Sequence, residues 1–585
     1  MGQYSSAQVG QYSLSQLARA EGIIGQFNET ALNSAINYIC EAVKSAGGYL
    51  HSLNATDFEI DENRLDGTVG GSDTESKRLP PSAFCTYWGF EALSSTVRLA
   101  ATGHGDQDLE PVLKLMTIWA ETALASIIAW HHAGVPARFD PVEALCAAAI
   151  IYQSPETAER FQLADHAVHV VLEDYSQGGL LTRSRAVLAA KVAGEWQSIY
   201  CSTYEALSYL LLALQRSGHR PPISNGLLGN VLAASRHMLR SWDVGRGVPN
   251  DQDWRIGGKA QPTAFSTAAG MTLLSCAEWL VEEYLDQEAR SQLGVPSSPP
   301  EKPGLEPPEF LEQQFLRSII GLVDSKSTSD RSRAIYSMIW FGPPGTGKTS
   351  YARRLASDLK WPLLEVTQKD FLVRGTDYID ACAEQIFKLL LCLKRVVILF
   401  DELEELVQAR ENVSTGQNGA PTPNETASRL LTTSMLPRIH ELRDQAQVVF
   451  IFATNRLATF DPAATRLGRI DAIIPIPPPS LDERKKAYET FADKWWSKTP
   501  GFDMTAVQKI LAEENFPEKY EGTTYKDIEF VAMQLYNIFV KYRKVDRSDI
   551  KRILASAVSI DEPTRVRFKK LVQDAARPRV EVELS

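Results

Sequence analysis

Apolar residues recur every three or four positions through most of the first half of the chain, as in PVLKLMTIWAETALASIIAW (111–130) and PVEALCAAAIIY (141–152). This spacing puts apolar side chains on one side of a helix, and alternating strand patterns are scarce, so we predict an almost wholly helical first half. The second half alternates short apolar runs with amphipathic segments, the pattern of a parallel sheet covered by helices. Between the halves, residues 286–309 are rich in Pro and charge. Because Pro interrupts helices and strands, this segment is predicted to be an interdomain linker.

A strand predicted at 334–341 runs into a glycine-rich loop and then into the amphipathic segment SYARRLASDL (350–359). This is the context in which such a loop binds phosphate, because glycines let backbone N–H groups converge on phosphate oxygens and the helix N-terminus adds partial positive charge. Lys348 is expected to reach the β- and γ-phosphates, and the Thr349 hydroxyl to bind Mg²⁺. The predicted nucleotide-binding residues are Gly342, Pro343, Pro344, Gly345, Thr346, Gly347, Lys348 and Thr349.

Two further apolar runs end in polar residues. RVVILF (395–400) has no alternation, as in a central parallel strand, and is followed by Asp401 and Glu402. Ligands bind at the carboxyl ends of such strands, so Asp401 is assigned to Mg²⁺ and Glu402 to polarising the attacking water. The strand predicted at 447–455 ends at Asn455, whose amide suits a hydrogen bond to the γ-phosphate or the attacking water.

Six residues later, DPAATRLGRID (461–471) contains Arg466 and Arg469, and arginine suits a multidentate phosphate clamp. With GPPGTGKT, LFDE and ATN, this segment completes four motifs in the order of the AAA family of AAA+ ATPases, which residues 310–560 resemble. The resemblance implies an ATP-hydrolysing enzyme that uses ATP and Mg²⁺, with Asn455 at the sensor-1 position. It also implies a homo-oligomeric ring, most often a hexamer, in which Arg466 and Arg469 act as arginine fingers on the ATP of a neighbouring subunit.

The resemblance completes the predicted fold class. An all-α N-terminal domain at 1–285 precedes an α/β P-loop AAA+ domain at 310–479, which is followed by a small helical lid and a C-terminal tail at 480–585. Family members place small residues near the adenine at the start of one lid helix, where this chain has Tyr525 and Lys526. Whether that segment contacts the nucleotide is therefore left undecided by the sequence.

A second departure from the family concerns the loop after the second strand. Members that thread polypeptide carry an aromatic–apolar–Gly triplet there, whereas this chain has Val373-Arg374-Gly375 in a slightly shorter loop. Phe371 suits either the missing aromatic or the core, so threading stays an open question. A polar, Gly- and Pro-rich stretch at 413–425 is predicted to be a mobile loop that faces the ring axis.

The helical half contains a faint repeat. Segments 84–93, 200–207 and 265–273 each place a Thr before a small residue and a Leu at the start of an apolar helix. These segments resemble the helix pairs of the α/α-toroid family (terpene cyclases and prenyltransferases), and the loop at 250–258 ends in a Gly-Gly turn of the kind found there. Another helical repeat or bundle is the alternative, and simple N-capping also accounts for the recurring hydroxyls.

Composition changes this interpretation little. The formal net charge of −11 is less typical of a nucleic-acid-binding chain, so nucleic acid is not an expected partner. The most apolar stretch, 112–130, is interrupted by Lys114 and Glu121, so no transmembrane segment is predicted. The N-terminal residues MGQYSSAQVGQYS include no basic region followed by an apolar run, so no signal peptide is predicted. The seven cysteines are scattered and form no C-x-x-C pair, and we expect them to be reduced, as in a cytoplasmic protein.

The predicted function is ATP-driven remodelling of an unidentified protein partner that the N-terminal domain recognises. Two alternatives stay open. One is a nucleotide-dependent oligomeric switch or scaffold with slow turnover. The other is an N-terminal toroid with its own small-molecule chemistry under ATPase control. The sequence shows no acid cluster of the terpene-cyclase kind, which ranks this last alternative lowest.

Overall fold

The chain divides into two compact units, Met1–Tyr284 and Leu285–Ser585, which we describe separately. In the computed structural model, the residues described are 29–51, 81–100, 109–134, 140–154, 157–181, 188–192, 195–199, 202–217, 222–242, 264–304, 307, 311, 316, 319–321, 334–375, 378–401, 437–455, 457, 470–496, 504–514, 516, 523–556, 563–564, 566–568 and 570.

Helices form most of the first unit, as predicted. They are α1 (Glu29–Ala46), α2 (Ala83–Ala100), α3 (Glu110–His132), α4 (Pro141–Gln153), α5 (Ala158–Asp174), α6 (Thr203–Ser217), α7 (Asn225–Ser241) and the first part of α8 (Ala264–Leu293). The prediction of an all-helical domain needs one correction, because three antiparallel two-stranded ribbons occur between the helices. These pair β1 (Leu50–His51) with β2 (Pro81–Ser82), β3 (Ser176–Gln177) with β4 (Leu180–Leu181), and β5 (Leu188–Val192) with β6 (Glu195–Ile199).

The first seven helices alternate between two layers. Even-numbered helices pack on one another, α2 on α4 and α4 on α6, and odd-numbered helices likewise pack α1 on α3, α3 on α5 and α5 on α7. The even layer is the more deeply buried, since α4 and α6 are apolar and covered along most of their length. This alternation is typical of helix-pair repeats, the class to which the α/α toroid belongs.

Two glycine turns of this unit, at Gly48 and Gly179, each lie against the backbone of a later helix. Gly48 and Gly179 have φ values of +107° and +86°, and a Cβ added to either would lie 2.5 Å from Leu115 O or 2.4 Å from Ala234 N respectively. Only glycine fits so close to a neighbouring helix backbone. Each turn therefore brings a short strand against the helix pair that follows.

Beside each of these turns, a threonine hydroxyl accepts a hydrogen bond from a backbone N–H group of the short strand. Thr86 Oγ1 accepts the N–H of Leu50 at 3.0 Å, and Thr203 Oγ1 accepts the N–H of Leu181 at 3.1 Å, with both bonds buried. Two of the recurring threonines in the sequence thus hold strands rather than cap helices. The N-cap of α2 is Ser82, whose Oγ accepts the N–H of Cys85.

An ion pair with one buried partner, a carboxylate, connects the even-numbered helices. Glu91 on α2 is 0% exposed, and its carboxylate accepts hydrogen bonds from Arg216 on α6 at 2.7 and 2.9 Å. Gln153, the last residue of α4, donates to the same carboxylate at 2.6 Å. Because a buried carboxylate needs such donors, this cluster constrains how the three helices pack.

Helix α3 meets the length and composition of a membrane span, with a mean hydropathy of 1.5 over 18 residues, of which 33% are buried. Core helices of folded domains meet the same criterion. Val112, Met116 and Leu124 of this helix pack into the core of the first unit.

The predicted linker begins later than expected, because α8 continues to Leu293. The first proline of the 286–309 segment is Pro296, so nothing before it interrupts the helix. Asp286 accepts a hydrogen bond from Arg290 one turn later at 2.8 Å and another from the N–H of Lys394 at 2.8 Å, while Ala289 packs into the core of the second unit. The prediction that 286–293 is non-helical is therefore wrong.

The second unit is built on a five-stranded parallel sheet in the order β11-β7-β10-β9-β8. Cores lie on both of its faces, which explains why these strands read as unbroken apolar runs. The strands are β7 (Ser337–Phe341), β8 (Leu363–Thr367), β9 (Val397–Asp401), β10 (Val449–Thr454) and β11 (Ala472–Pro475). The helices are α9 (Lys348–Leu359), α10 (Gln368–Leu372), α11 (Ile379–Leu390), α12 (Leu481–Trp496), α13 (Met504–Glu513), α14 (Tyr525–Tyr542) and α15 (Arg547–Ser556), and residues 437–445 are also helical.

We expect Arg216→Met to lower the free energy of unfolding of the first unit by about 3–5 kcal/mol, because it leaves the Glu91 carboxylate buried without its cation. The double variant Glu91→Leu/Arg216→Met should lose less, since no charge remains buried. Urea denaturation followed by circular dichroism measures both. Lys44→Ala, at the exposed Lys44–Glu41 pair, is the control and should change stability by less than about 0.5 kcal/mol. A cost below about 1 kcal/mol for Arg216→Met would contradict this role.

Candidate functional site

The glycine-rich loop lies between β7 and α9, in the predicted order of strand, loop and helix. Gly345 and Gly347 have φ values of +79° and +92°, which L-residues with side chains adopt only under strain. Gly342 begins the loop, and a Cβ there would lie 2.1 Å from Ile476 O. The loop conformation therefore depends on glycine.

The ammonium group of Lys348 is held inside this loop. Its Nζ donates to the carbonyls of Gly342 at 2.9 Å and Pro343 at 3.0 Å, and to Asn455 Oδ1 at 2.8 Å. Asn455 directly follows β10, so neighbouring strands bring the lysine and the amide together. Lys348 is 8% exposed, and these three acceptors are neutral oxygens.

Thr349 and Asp401 form the second contact of the site. Thr349 Oγ1 donates to Asp401 Oδ2 at 3.0 Å, which joins the start of α9 to the end of β9. A hydroxyl and a carboxylate at this edge of a parallel sheet are oxygen ligands of the kind that Mg²⁺ prefers. The two residues that the sequence assigned to a metal therefore lie together.

The loop also offers donors for an anion. No hydrogen-bond acceptor among the described residues pairs with the backbone N–H groups of Gly345, Thr346 or Gly347. These groups precede the N-terminus of α9, where the helix dipole favours negative charge. Together with the buried Lys348 ammonium, they fit the phosphate chain of a nucleotide.

The C-terminal helices reach the loop through the start of α14. The N–H of Tyr525 donates to Gly345 O at 3.1 Å. The Tyr351 hydroxyl on α9 donates to the Tyr525 hydroxyl at 3.1 Å, with the two rings nearly perpendicular. Burial raises the pKa of Tyr525 to about 12 and that of Tyr351 further, so both hydroxyls keep their protons at neutral pH. The sequence singled out Tyr525 only as a departure from the family, and Tyr351 was missed because it resembles an ordinary apolar position of α9.

The segment after β8 shows whether Phe371 belongs to the core or replaces the missing exposed aromatic residue. Phe371 on α10 is 0% exposed and belongs to a core cluster, so it does not take the place of an exposed aromatic. Val373 is 78% exposed, and Gly375 has a φ of +89°. The exposed tip of this loop is therefore Val373-Arg374-Gly375.

Several predicted features lie outside the described residues. They are the general base Glu402, the arginines Arg466 and Arg469, the loop at 413–425 and the turn at 250–258. Asp471, at the end of the arginine-containing segment, is described. Its Oδ2 accepts the N–H groups of Tyr336 and Ser337 at 3.0 and 3.1 Å, and its Oδ1 pairs with Arg443 at 3.0 Å. Asp471 thus fixes the start of β7, the strand that leads into the loop.

Comparison with known proteins gives the same picture of the second unit. Residues 338–478 match the family model described as ATPase family associated with various cellular activities (AAA). Proteasome-activating nucleotidase of Sulfurisphaera tokodaii is 25% identical over 223 residues, which are 36% of this chain and 55% of that protein. Cell division cycle protein 48 homolog of Archaeoglobus fulgidus is 31% identical over 197 residues, 34% of this chain and 24% of the relative. ATP-dependent zinc metalloprotease FtsH of Lachnoclostridium phytofermentans is 28% identical over 247 residues, 40% of this chain and 41% of the relative. This chain therefore covers at most 55% of the length of these relatives.

We expect Lys348→Ala to weaken nucleotide binding by about 10- to 100-fold, because a charge-assisted hydrogen bond contributes about 1.5–3 kcal/mol. Titration with a fluorescent ADP analogue measures the change. Lys369→Ala removes an exposed lysine of the same unit and is the matched control, for which no change is expected. Equal affinities for wild type and Lys348→Ala would show that the phosphates do not lie in this loop.

Proposed function

The second unit of this chain contains an ATPase domain of the AAA family, and from that premise we propose that the whole protein uses ATP hydrolysis to remodel a protein partner. The observation that carries the ATP-dependent part of the proposal is the assembly of Lys348, Asn455, Thr349 and Asp401 at one edge of the sheet. Sequence motifs that lie far apart in the chain form one site there.

In this proposal each described residue has one task. Lys348 and the loop N–H groups hold the β- and γ-phosphates, and Thr349 and Asp401 hold Mg²⁺, which neutralises charge on the phosphates when it is bound. Asn455 accepts a hydrogen bond from Lys348, and its amide would orient the attacking water. Glu402, the residue after Asp401, polarises that water.

We further propose that the active site is completed between subunits of a ring, most often a hexamer in this family. Arg466 and Arg469 would then contact ATP held by the neighbouring protomer. Arginine suits this position because its planar guanidinium is always charged and binds phosphate through several donors. A cytoplasmic location is part of the same proposal.

We assign recognition of the partner to the first unit. Its two layers of alternating helices are the packing of helix-pair repeats, which commonly bind partners on extended surfaces. The Gly-Gly corners at Gly48 and Gly179 support the narrower proposal that this repeat closes into an α/α toroid. Among the relatives, a proteasome-activating nucleotidase and an ATP-dependent metalloprotease act, by their names, in protein turnover, which favours a protein as the partner.

Glu402→Gln should keep nucleotide binding while ATP turnover falls by about 100-fold or more, because general base catalysis contributes about 10²–10⁴. Turnover is followed by phosphate release. Affinity purification of the full chain with ATP should recover more partner with this variant than with Lys348→Ala, the control with weakened nucleotide binding. A remodelling enzyme loses partner processing in Glu402→Gln, whereas a switch stays active. Unchanged turnover would exclude Glu402 as the base.

The shared active site predicts complementation between two inactive variants. Arg466→Ala/Arg469→Ala should bind nucleotide but lose turnover by about 10³-fold or more, as when an arginine finger is removed. Lys348→Ala keeps both arginines but lacks the phosphate-binding lysine. Mixed in equal amounts, the two should regain part of the ATPase rate, because one protomer supplies the nucleotide and its neighbour the arginines. Co-assembly that restores no activity, shown by sedimentation, would argue against a site between subunits.

A further inference from the structure

The segment that contains Arg466 and Arg469 is attached to the sheet directly after its second arginine. Both arginines lie outside the described residues, whereas the next two residues, Ile470 and Asp471, are described. Ile470 is 5% exposed and packs into the core on one face of the sheet. Two residues of extended chain span at most about 7 Å, so the backbone of Arg469 lies within that distance of Asp471. Whatever holds Asp471 therefore limits where this arginine can lie.

Asp471 is held by both its backbone and its side chain. Its N–H donates to the carbonyl oxygen of Ser337 at 3.0 Å and to Ser337 Oγ at 2.9 Å. Its Oδ2 accepts the N–H groups of Tyr336 and Ser337 at 3.0 and 3.1 Å. Its Oδ1 accepts from Nε of Arg443 at 3.0 Å. Together these contacts fix the direction of the carboxylate as well as the position of the chain.

The sheet alone does not require a charged residue at this position. The N–H groups of Tyr336 and Ser337 need an acceptor, and the neutral amide oxygen of an asparagine could serve as one. The negative charge of Asp471 is matched instead by Arg443, in the helix at 437–445 that precedes β10. These two side chains are 13% and 33% exposed, so salt screens their attraction less than that of a fully exposed pair. The ion pair therefore ties Asp471 to a segment outside the β7–β11 ladder.

Asp471 lies at the edge of the sheet opposite the glycine-rich loop. It directly precedes β11, and its partner Ser337 is the first residue of β7. Gly342, where the loop begins, follows Ser337 by five positions, which is about 16 Å along a strand at about 3.3 Å per residue. The backbone of Arg469 is thus held near the edge of the sheet that is remote from the loop of its own chain. An arginine at that edge is better placed for a nucleotide bound by another subunit.

We propose that Asp471 is a positioning residue for the arginine pair. Together with Arg443 it clamps the end of the arginine-containing segment to the start of β7, so that the two arginines meet the nucleotide of the neighbouring subunit. The inference rests on the proposed function, because it requires a ring in which each subunit supplies arginines to the next. Asp471 acts through these arginines and does not contact the nucleotide. A purely structural role would instead act on β7 and on the loop that follows it in the same subunit.

The two roles predict opposite results when inactive full-length variants are mixed. Lys348→Ala supplies arginines to its neighbour, and Arg466→Ala/Arg469→Ala supplies the bound nucleotide. Asp471→Asn, which keeps the size of the side chain and one acceptor oxygen, is then added to one of these chains at a time. In the arginine-supplying chain it should lower the regained ATPase rate by about 10-fold or more, because a displacement of about 1 Å can cost about 10²-fold. In the nucleotide-supplying chain it should leave the regained rate close to that of the parent mixture.

Arg443→Met tests the ion pair without changing any backbone hydrogen bond of Asp471, and it replaces Asp471→Asn if that variant does not fold. In the arginine-supplying chain it should also lower the regained rate. The matched control is Arg438→Met, which removes an arginine of the same helix whose partner is Glu384, and it should have no effect in either chain. Affinity for a fluorescent ADP analogue should match that of the parent chain for each variant, since the loop is unchanged.

An equal loss from Asp471→Asn in both chains, or a larger loss in the nucleotide-supplying chain, overturns the inference and assigns Asp471 to the sheet alone. A regained rate that neither Asp471→Asn nor Arg443→Met lowers in the arginine-supplying chain overturns it as well. A parent mixture that co-assembles but regains no turnover is a different result, because it overturns the shared active site of the proposed function, on which the inference rests.

Discussion

The chemistry of this protein depends on one geometrical constraint, the shared carboxyl edge of strands β7, β10 and β9. Strand β10 lies between the other two and pairs Ala453 with both Trp340 and Asp401. That register puts the loop after β7, the amide after β10 and the carboxylate at the end of β9 at the same level. Since all three strands are buried, their register is fixed by the cores on both faces, and the site inherits that rigidity.

The ammonium of Lys348 is the charged group of the site whose burial is most costly. A charge in an almost fully buried position is costly unless it is solvated by dipoles, and here two carbonyls and one amide oxygen take that role. A phosphate that binds in the loop competes for the same ammonium and offers a full negative charge. Asn455 is one of the groups it competes with, so the amide assigned to sensing the nucleotide is coupled to the lysine that binds it.

The parts of the fold that follow from short stretches of sequence could be predicted. Strand, loop and helix around Lys348, and the polar ends of β9 and β10, each reside in fewer than about twenty residues, where local geometry and hydrophobic pattern decide the structure. The order of the strands depends on packing between distant segments, and the sequence contains no local signal for it. Two of the three ribbons have strands of only two residues, which are too short to show a period. The end of helix α8 lies within the second unit, where Asp286 and Ala289 contact other residues of that unit, and such contacts have no local signal in the sequence. The hydrogen bond between Tyr351 and Tyr525 could not be predicted either, since it joins residues that are 174 positions apart in the chain.

The two units show opposite relations between sequence pattern and structure. In the ATPase domain, the glycines, Lys348 and Thr349 of one short loop each meet a geometric or chemical requirement, so the motif can be read from neighbouring residues. In the first unit, the repeated feature is a contact between a glycine turn, a strand N–H and a threonine hydroxyl, which are separated in the chain by insertions of different length. Leu50 and Thr86 are 36 residues apart, whereas Leu181 and Thr203 are 22 apart. Because these separations differ, residue spacing alone does not reveal the repeat, although the same contacts occur in both copies. A turn that tolerates only glycine, together with a buried hydroxyl that accepts a backbone N–H, therefore marks the repeat in this chain more clearly than residue spacing does.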